Sequence, residues 1–226
     1  MTRLATSRRA LLGGGLALLA GSAARAHGPD PHPTAAGVMP TSVATPGADP
    51  LAGRFGGPFK LVAHDGRRLS DADFRGRFML VYFGYTTCDD LCPLDLAVIE
   101  AALKELGPAA DIVQPLFITV DPTRDTVPVM AAYVANFHPR LIGLTGSEPE
   151  IAAVARAYKV HRRKVRPAAG IQGGGIQGGS GPDAYIVDHG SLTYLMGPDG
   201  QFRTLVPHKT EAAAMAMVLR RYLPAS

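Results

Sequence analysis

The chain has 226 residues, of which 46% are hydrophobic and 19% charged, and a formal net charge of +4 at pH 7. This composition is typical of a globular protein and excludes a largely disordered chain. Residues 1–26 contain four arginines and no acids; removing those four from the 23 basic residues leaves 19, equal to the 19 acidic residues. A formally neutral remainder argues against nucleic acid as a partner.

Residues 1–26 have the layout of an export signal or a membrane tether. A basic start is followed by an apolar run over residues 10–20, too short for an ordinary membrane span, and by a small-residue site, Ala24-Arg25-Ala26. The stretch "SRRALL", Ser7 to Leu12, is a partial match to a twin-arginine signal, and an ordinary secretory signal is the alternative. We therefore predict a periplasmic protein, with the N-terminus either cleaved or kept as a tether.

Residues 27–53 are rich in proline, glycine and alanine and predict a flexible leader. Residues 54–224 predict one α/β domain, in which β-prone runs and helical patterns alternate. In chain order the predicted elements are a hairpin around Asp65-Gly66, a buried strand 78–85, a helix 93–106, a strand 115–122, a helix 126–136, a strand within 140–146, a helix 148–158, a strand 184–189, a hairpin turning at 197–200 and a helix 210–222.

This order predicts a central mixed sheet with helices on both faces, preceded by an added N-terminal β-hairpin. Strands early in the domain should be parallel, and the last pair antiparallel. Ser147 followed by Glu150 predicts a capping box at the start of the third helix. Residues 168–183 contain "GIQGG" twice, fit no element and are interpreted as a surface insertion.

The only two cysteines of the sequence, Cys88 and Cys92, follow the predicted buried strand. A spacing of four places both sulfurs on one face of a helical turn. A structural disulfide here would close a loop of about five residues and stabilise by only about 2 kcal/mol. Thiol–disulfide exchange is favoured by a helix N-terminus, but Asp89 and Asp90 oppose thiolate formation. Metal binding is the third use, because two thiolates with one distant nitrogen suit Cu(I).

Seven histidines could supply that nitrogen. His189 differs from the others because it closes a predicted strand and opens into a loop through Gly190, a position where loops often carry function. Spacing alone does not choose among the seven, and it leaves all three uses of the cysteine pair open.

Four stretches, in order, resemble the Sco/SenC family of copper-handling proteins: "YFGYTTCDDLCP", "TVDPTRDT", "FHPRLIGLTG" and "YIVDHGSLTYLMGPDGQF". The likeness runs from about Arg54 to Tyr222. It implies a thioredoxin-like fold and copper, as Cu(I) or Cu(II), held by Cys88, Cys92 and His189. It also implies a role in assembling the copper centres of cytochrome c oxidase, chiefly the CuA site.

The expected function is therefore a periplasmic copper metallochaperone, with no enzymatic reaction required. Its partners would be the copper-binding subunit of cytochrome c oxidase, or another periplasmic copper protein, and a thioredoxin-type thiol reductant that reopens an oxidised Cys88–Cys92 pair. The alternative is a thiol–disulfide oxidoreductase or redox sensor, in which the cysteines act as a redox-active pair and His189 has no role. A peroxiredoxin-like peroxidase is a third reading, which the acids beside the thiols disfavour.

The sequence departs from the family pattern at two places beside the expected ligands. Asp89 stands where proline is frequent in the family, and Gly190 stands where serine or threonine is frequent. Asp90 and Asp121 match recurring acidic positions, and each is expected either to support a ligand or to hold a turn.

Overall fold

The computed structural model describes residues 51, 53–88, 91–166 and 185–224. Contacts divide the chain into two units, of which Met1–Ala44 lies outside the described residues and Thr45–Ser226 contains all of them. The predicted signal or tether, nearly all of the leader, Asp89, Asp90 and the glycine-rich stretch 168–183 fall outside the described residues. Within the described part, no helix is long and apolar enough to cross a membrane.

Nine strands and four α-helices are formed by the described residues. The strands are β1 (Lys60–Ala63), β2 (Arg68–Ser70), β3 (Phe78–Gly84), β4 (Val113–Thr119), β5 (Ile142–Thr145), β6 (Arg162–Val165), β7 (Ile186–His189), β8 (Leu192–Met196) and β9 (Phe202–Pro207). The helices are α1 (Leu91–Leu106), α2 (Val127–Val134), α3 (Glu148–Ala157) and α4 (Ala212–Arg220), and short 3-10 helices span Asp71–Phe74 and Gly107–Ile112.

Seven strands form one mixed sheet in the order β2-β1-β5-β4-β3-β8-β9. β4 pairs in parallel with both β3 and β5, as the alternation of strands and helices predicts. Two parallel neighbours can be joined only by a crossover connection, which is usually a helix. The early hairpin β1–β2 and the late pair β8–β9 are antiparallel. The predicted α/β class and mixed sheet are thus confirmed.

All seven residues of β3 are buried, and they alternate between two apolar clusters. Phe78, Leu80 and Tyr82 pack into the cluster that also holds residues of α1, α2 and α4. Met79, Val81 and Phe83 face the opposite cluster, which includes residues of α3 and the N-terminal hairpin. A strand covered on both faces needs an unbroken apolar run, which is why "FMLVYFG" shows no polar alternation.

One local prediction is confirmed and one element was missed. Ser147 and Glu150 form the expected capping box, with the Glu150 carboxylate accepting from the Ser147 backbone N–H at 2.7 Å. The strand β6, with the sequence "RRKV", was not predicted because it has no apolar alternation. It pairs only with β7, as a separate antiparallel sheet in which Arg162 faces His189.

Candidate metal centre

The chain brings two of the three expected ligands into contact at the end of β3. Cys92 lies in the first turn of α1 and is fully buried, while His189 is the last residue of β7. Cys92 Sγ lies 3.8 Å from His189 Nε2, although the two residues are 97 positions apart in the chain. The third residue, Cys88, lies in the loop between β3 and α1 and is half-buried.

The hydrogen bonding of His189 fixes which nitrogen can bind. Its Nδ1 lies 3.1 Å from the carbonyl oxygen of Gly190, and a carbonyl only accepts, so Nδ1 must carry the proton. In a neutral imidazole the other nitrogen, Nε2, then has a free lone pair, and this lone pair is directed at Cys92. A metal-binding histidine has the same arrangement, with one nitrogen on the metal and the other donating to a carbonyl.

Both cysteines carry thiols, and the two side chains interact. A hydrogen bond between the two thiols, followed by burial, raises the pKa of Cys92 far above its ordinary value. Cys92 is therefore protonated at neutral pH. A soft metal ion would have to displace this proton, so metal binding here should be coupled to proton release.

Cys92 contacts both other residues, but the three are not gathered around one point. Within the described ranges, no group of three histidine, cysteine, aspartate or glutamate side chains is arranged to hold a metal ion. The donor set itself, two sulfurs and one imidazole nitrogen, suits copper better than a hard cation.

An aromatic side chain packs against the histidine. The ring of Tyr85 meets the His189 imidazole edge-on, with centroids 5.7 Å apart. Burial, together with the neighbouring Cys88, raises the pKa of Tyr85 to about 12. The guanidinium of Arg124 lies 5.8 Å from the centroid of the same ring. Tyr85 therefore limits the rotation of His189 and is itself held by its neighbours.

A buried carboxylate holds the loop that carries Cys88. Asp125 accepts hydrogen bonds from the Thr86 backbone N–H at 3.1 Å, the Thr86 hydroxyl at 2.6 Å and the Thr119 hydroxyl at 2.5 Å. Burial raises its pKa, which the hydrogen bonds from Thr119 and Thr86 partly offset. Because Thr86 is two residues before Cys88, Asp125 restrains the position of that thiol.

Other predicted candidates have different surroundings. The Nδ1 atoms of His64 and His138 accept backbone N–H groups, and His208 pairs with Asp95 on α1 at 2.8 Å. His161 lies 3.4 Å from Asp188 at the surface. The remaining two, His27 and His32, lie outside the described residues. Among the five described histidines, His189 alone contacts a cysteine sulfur in the recorded geometry.

Sequence reasoning gave no role to Tyr85, Arg124 or Asp125. All three lie inside the stretches "YFGYTTCDDLCP" and "TVDPTRDT", which carry the family resemblance. Their presence in these stretches was the signal that could have identified them. The other aspartate of the second stretch, Asp121, is fully buried and pairs with Arg124 rather than with a cysteine.

Known proteins of similar sequence and structure include Sco proteins that were solved with copper bound. The mitochondrial SCO2 homologue of Bos taurus is 43% identical over 171 residues, which cover 75% of this chain and 60% of the relative. ScoI of Bradyrhizobium japonicum, solved with copper bound, is 38% identical, with a TM-score of 0.64 and coverage of 75% and 99%. BsSco, described as having a disulfide switch and as a Sco-family cytochrome c oxidase assembly protein, is 25% identical, with a TM-score of 0.56 and coverage of 76% and 95%.

These comparisons correct the predicted location. Curated relatives from Bos taurus, Mus musculus and Homo sapiens, at 40 to 43% identity, are mitochondrial proteins, so the prediction of a periplasmic protein with a twin-arginine signal is wrong. The physical reason is that mitochondrial targeting segments are also rich in arginine and poor in acids, so the composition of residues 1–26 does not separate the two routes.

The match covers the part of the chain that forms the sheet and the candidate site. This chain spans about 60% of the length of the first curated relatives it matches. The structural neighbours confirm the expected thioredoxin-like fold. Since the SCO1/SenC family profile matches residues 47–224, the chain belongs to the SCO1/SenC family.

Proposed function

We propose that this chain is a copper metallochaperone that binds one copper ion through Cys88, Cys92 and His189 and delivers it to a copper site of cytochrome c oxidase. The observation that carries the proposal is the 3.8 Å contact between Cys92 Sγ and His189 Nε2. Cys92 and His189 lie 97 positions apart in the chain, and in the neutral imidazole that donates from Nδ1 to the Gly190 carbonyl, the nitrogen facing the sulfur has a free lone pair for a soft metal. The copper-bound ScoI structure supports the choice of metal.

Transfer would proceed by exchange of ligands rather than by release of free copper. Thiolates of an acceptor protein replace Cys88, Cys92 and His189 one at a time, so copper stays coordinated throughout. Cys88 is half-buried and Cys92 fully buried, so Cys88 is the ligand that an acceptor reaches first. The oxidation state that this site suits best is Cu(I), because two of the three donors are soft sulfurs.

The first test is the Cu(I) affinity of the reduced protein, measured by competition with a chelator. We expect tight one-to-one binding by the wild type and loss of tight binding in Cys88→Ser and in Cys92→Ser, since a hydroxyl is a poor ligand for Cu(I). Loss of a residue that supports a metal ligand lowers metal affinity roughly 10–100-fold. His189→Ala removes a proposed ligand itself and should therefore weaken binding by at least this factor.

His138→Ala is the matched control, because this histidine is partly buried and hydrogen-bonded but belongs to the turn after α2. Its Cu(I) affinity should equal that of the wild type. Equal affinity of His189→Ala and wild type would contradict the three-ligand site, whatever the behaviour of the cysteine variants.

A thiol–disulfide oxidoreductase is the second candidate, and the contact between the two thiols favours it. In this reaction the pair gives up two electrons and two protons to an acceptor disulfide, and a thioredoxin-type dithiol later returns both. The raised pKa of Cys92 opposes its use as the attacking thiolate, so the attack would fall to Cys88. If the metal-free protein reduces a disulfide substrate, and His189→Ala reduces it at the same rate, the result would favour this candidate over the chaperone.

A further inference from the structure

The strand that carries His189 is not part of the main sheet. β7 pairs only with β6, and two strands alone are marginally stable. One backbone hydrogen bond, from Gly190 N–H to the His161 carbonyl at 3.1 Å, continues this small sheet beyond His189. The position of His189 relative to Cys92 must therefore depend on contacts between the β6–β7 hairpin and the rest of the domain.

Side chains in the loop after β4 make most of the polar contacts to that hairpin. Asp121 is fully buried, and both of its carboxylate oxygens accept from the Tyr185 hydroxyl at 2.9 Å. It also forms an ion pair with Arg124, and Lys164 of β6 lies 3.4 Å away. A buried carboxylate needs such compensation, so these partners are held firmly.

Arg124 connects the same hairpin to the aromatic ring beside His189. Its guanidinium lies 3.9 Å from the centroid of the Tyr185 ring, and Nη1 donates to the Tyr185 carbonyl oxygen at 3.1 Å. The guanidinium also lies within 5.8 Å of the Tyr85 ring, which packs edge-on against His189. A planar group that stacks and donates at once is a property of arginine that lysine lacks.

We propose that Asp121, Arg124 and Tyr185 form a clamp that positions His189 for copper, an inference that rests on the proposed three-ligand site. Tyr185 is four residues before His189 on the same extended segment, and Arg124 also lies near Tyr85, the ring that packs edge-on against His189. The clamp residues do not touch the metal; they are positioning residues that keep the imidazole beside Cys92. Without the clamp, the hairpin retains its own pairing but loses its fixed place against β4.

Two conservative variants test the clamp in the full, reduced protein with Cu(I) alone as the probe. Arg124→Lys keeps the charge but removes the stacking and the bond to the Tyr185 carbonyl. Tyr185→Phe keeps the ring and removes the hydroxyl with its hydrogen bonds to Asp121 and Lys164. Each should lower the Cu(I) affinity by about 10-fold, the lower end of the range for outer partners of metal ligands.

The same two variants in the His189→Ala background separate positioning from general loss of structure. If the clamp acts through His189, then neither substitution should weaken Cu(I) binding further once the imidazole is gone. The ¹⁵N shift of His189 Nε2 gives an independent readout: it should change on Cu(I) addition in the wild type and change less in Arg124→Lys. Arg140→Lys is the matched control, since Arg140 also donates to backbone carbonyls, at the opposite end of β4.

Unchanged affinity in both clamp variants, or equal weakening with and without His189, would overturn the clamp. Failure of the proposed function has a different signature, because His189→Ala alone would then bind Cu(I) as tightly as the wild type. In that case the clamp has no ligand to position and is overturned with it.

Discussion

A single buried carboxylate, Asp125, determines the conformation of the loop before Cys88. It is fully buried, and its oxygens accept three hydrogen bonds from Thr86 and Thr119. The Thr145 hydroxyl also donates to the backbone carbonyl of Asp125, at 2.7 Å, which fixes the residue itself. Removing the side chain would leave buried donors without an acceptor, which costs more than the loss of an average hydrogen bond.

We therefore expect Asp125→Ala to lower the free energy of unfolding by about 1–3 kcal/mol, the cost of leaving buried polar groups unsatisfied. Urea denaturation of the reduced, metal-free protein measures this change. Asp111→Ala is the control: its side chain is 83% exposed and only 4.0 Å from Arg140, so the change should stay within about 0.5 kcal/mol. An Asp125→Ala protein as stable as the control would mean that this network does not stabilise the fold.

At the scale of elements, the end of β3 lies close to the first turn of α1, where the candidate site is. Gly84 ends β3, and a Cβ added there would lie 2.8 Å from Cys92 Sγ and 2.7 Å from Phe117 Cε2. These distances are shorter than van der Waals contact, and both neighbours are buried. The glycine is therefore needed for the close packing of strand and helix that sets the position of the Cys92 sulfur.

Gly84→Ala should destabilise the protein by about 1–3 kcal/mol, the usual cost of overpacking a core, and should weaken Cu(I) binding by displacing Cys92. Chemical denaturation and chelator competition measure the two effects. Gly190→Ala, beside His189, is the matched control, because no atom lies within 4 Å of the added Cβ and both properties should stay unchanged. The prediction is contradicted if Gly84→Ala behaves like Gly190→Ala.

At the scale of the whole molecule, the candidate ligands join the two apolar clusters on opposite faces of the sheet. Cys92 belongs to the cluster that includes α1, α2 and α4, and Val187 of β7 to the other. Cys88 packs against both. A metal bound by all three residues would therefore couple the two halves of the core. The unfolded chain keeps only the local Cys88–Cys92 pair, which can still bind copper without the histidine.

Copper should thus stabilise the folded protein only to the extent that the folded state binds copper more tightly than the cysteine pair of the unfolded chain does. If His189 makes the folded state bind about 100-fold more tightly than the unfolded chain, saturating Cu(I) adds about 2.7 kcal/mol. Thermal unfolding under reducing conditions should show a clear rise in Tm for the wild type and a much smaller one for His189→Ala. Equal rises in the two proteins would show that the stabilisation does not come from the histidine.

The sequence by itself determined the family and most elements of the domain. Buried strands such as β3 appear as unbroken apolar runs, and the capping box at Ser147 is a local signal, so both can be read without knowing what they pack against. The resemblance to the Sco/SenC family, carried by four stretches in order, predicted the thioredoxin-like fold and copper as the metal. The comparisons confirm the family and the fold, and similar Sco structures were solved with copper bound. The N-terminal composition misled, because it is shared by different targeting routes.

Only the tertiary structure decided which groups surround the cysteines. β6 has no apolar alternation, since its charged side chains reach Asp121, Glu148 and Asp188 rather than a core, and its pairing with β7 was therefore missed. Likewise, no local pattern shows that His189 Nε2 meets Cys92 or that Arg124 stacks on Tyr185. These contacts join residues 61 to 97 positions apart, and the chain makes them only once the sheet and its two clusters have formed.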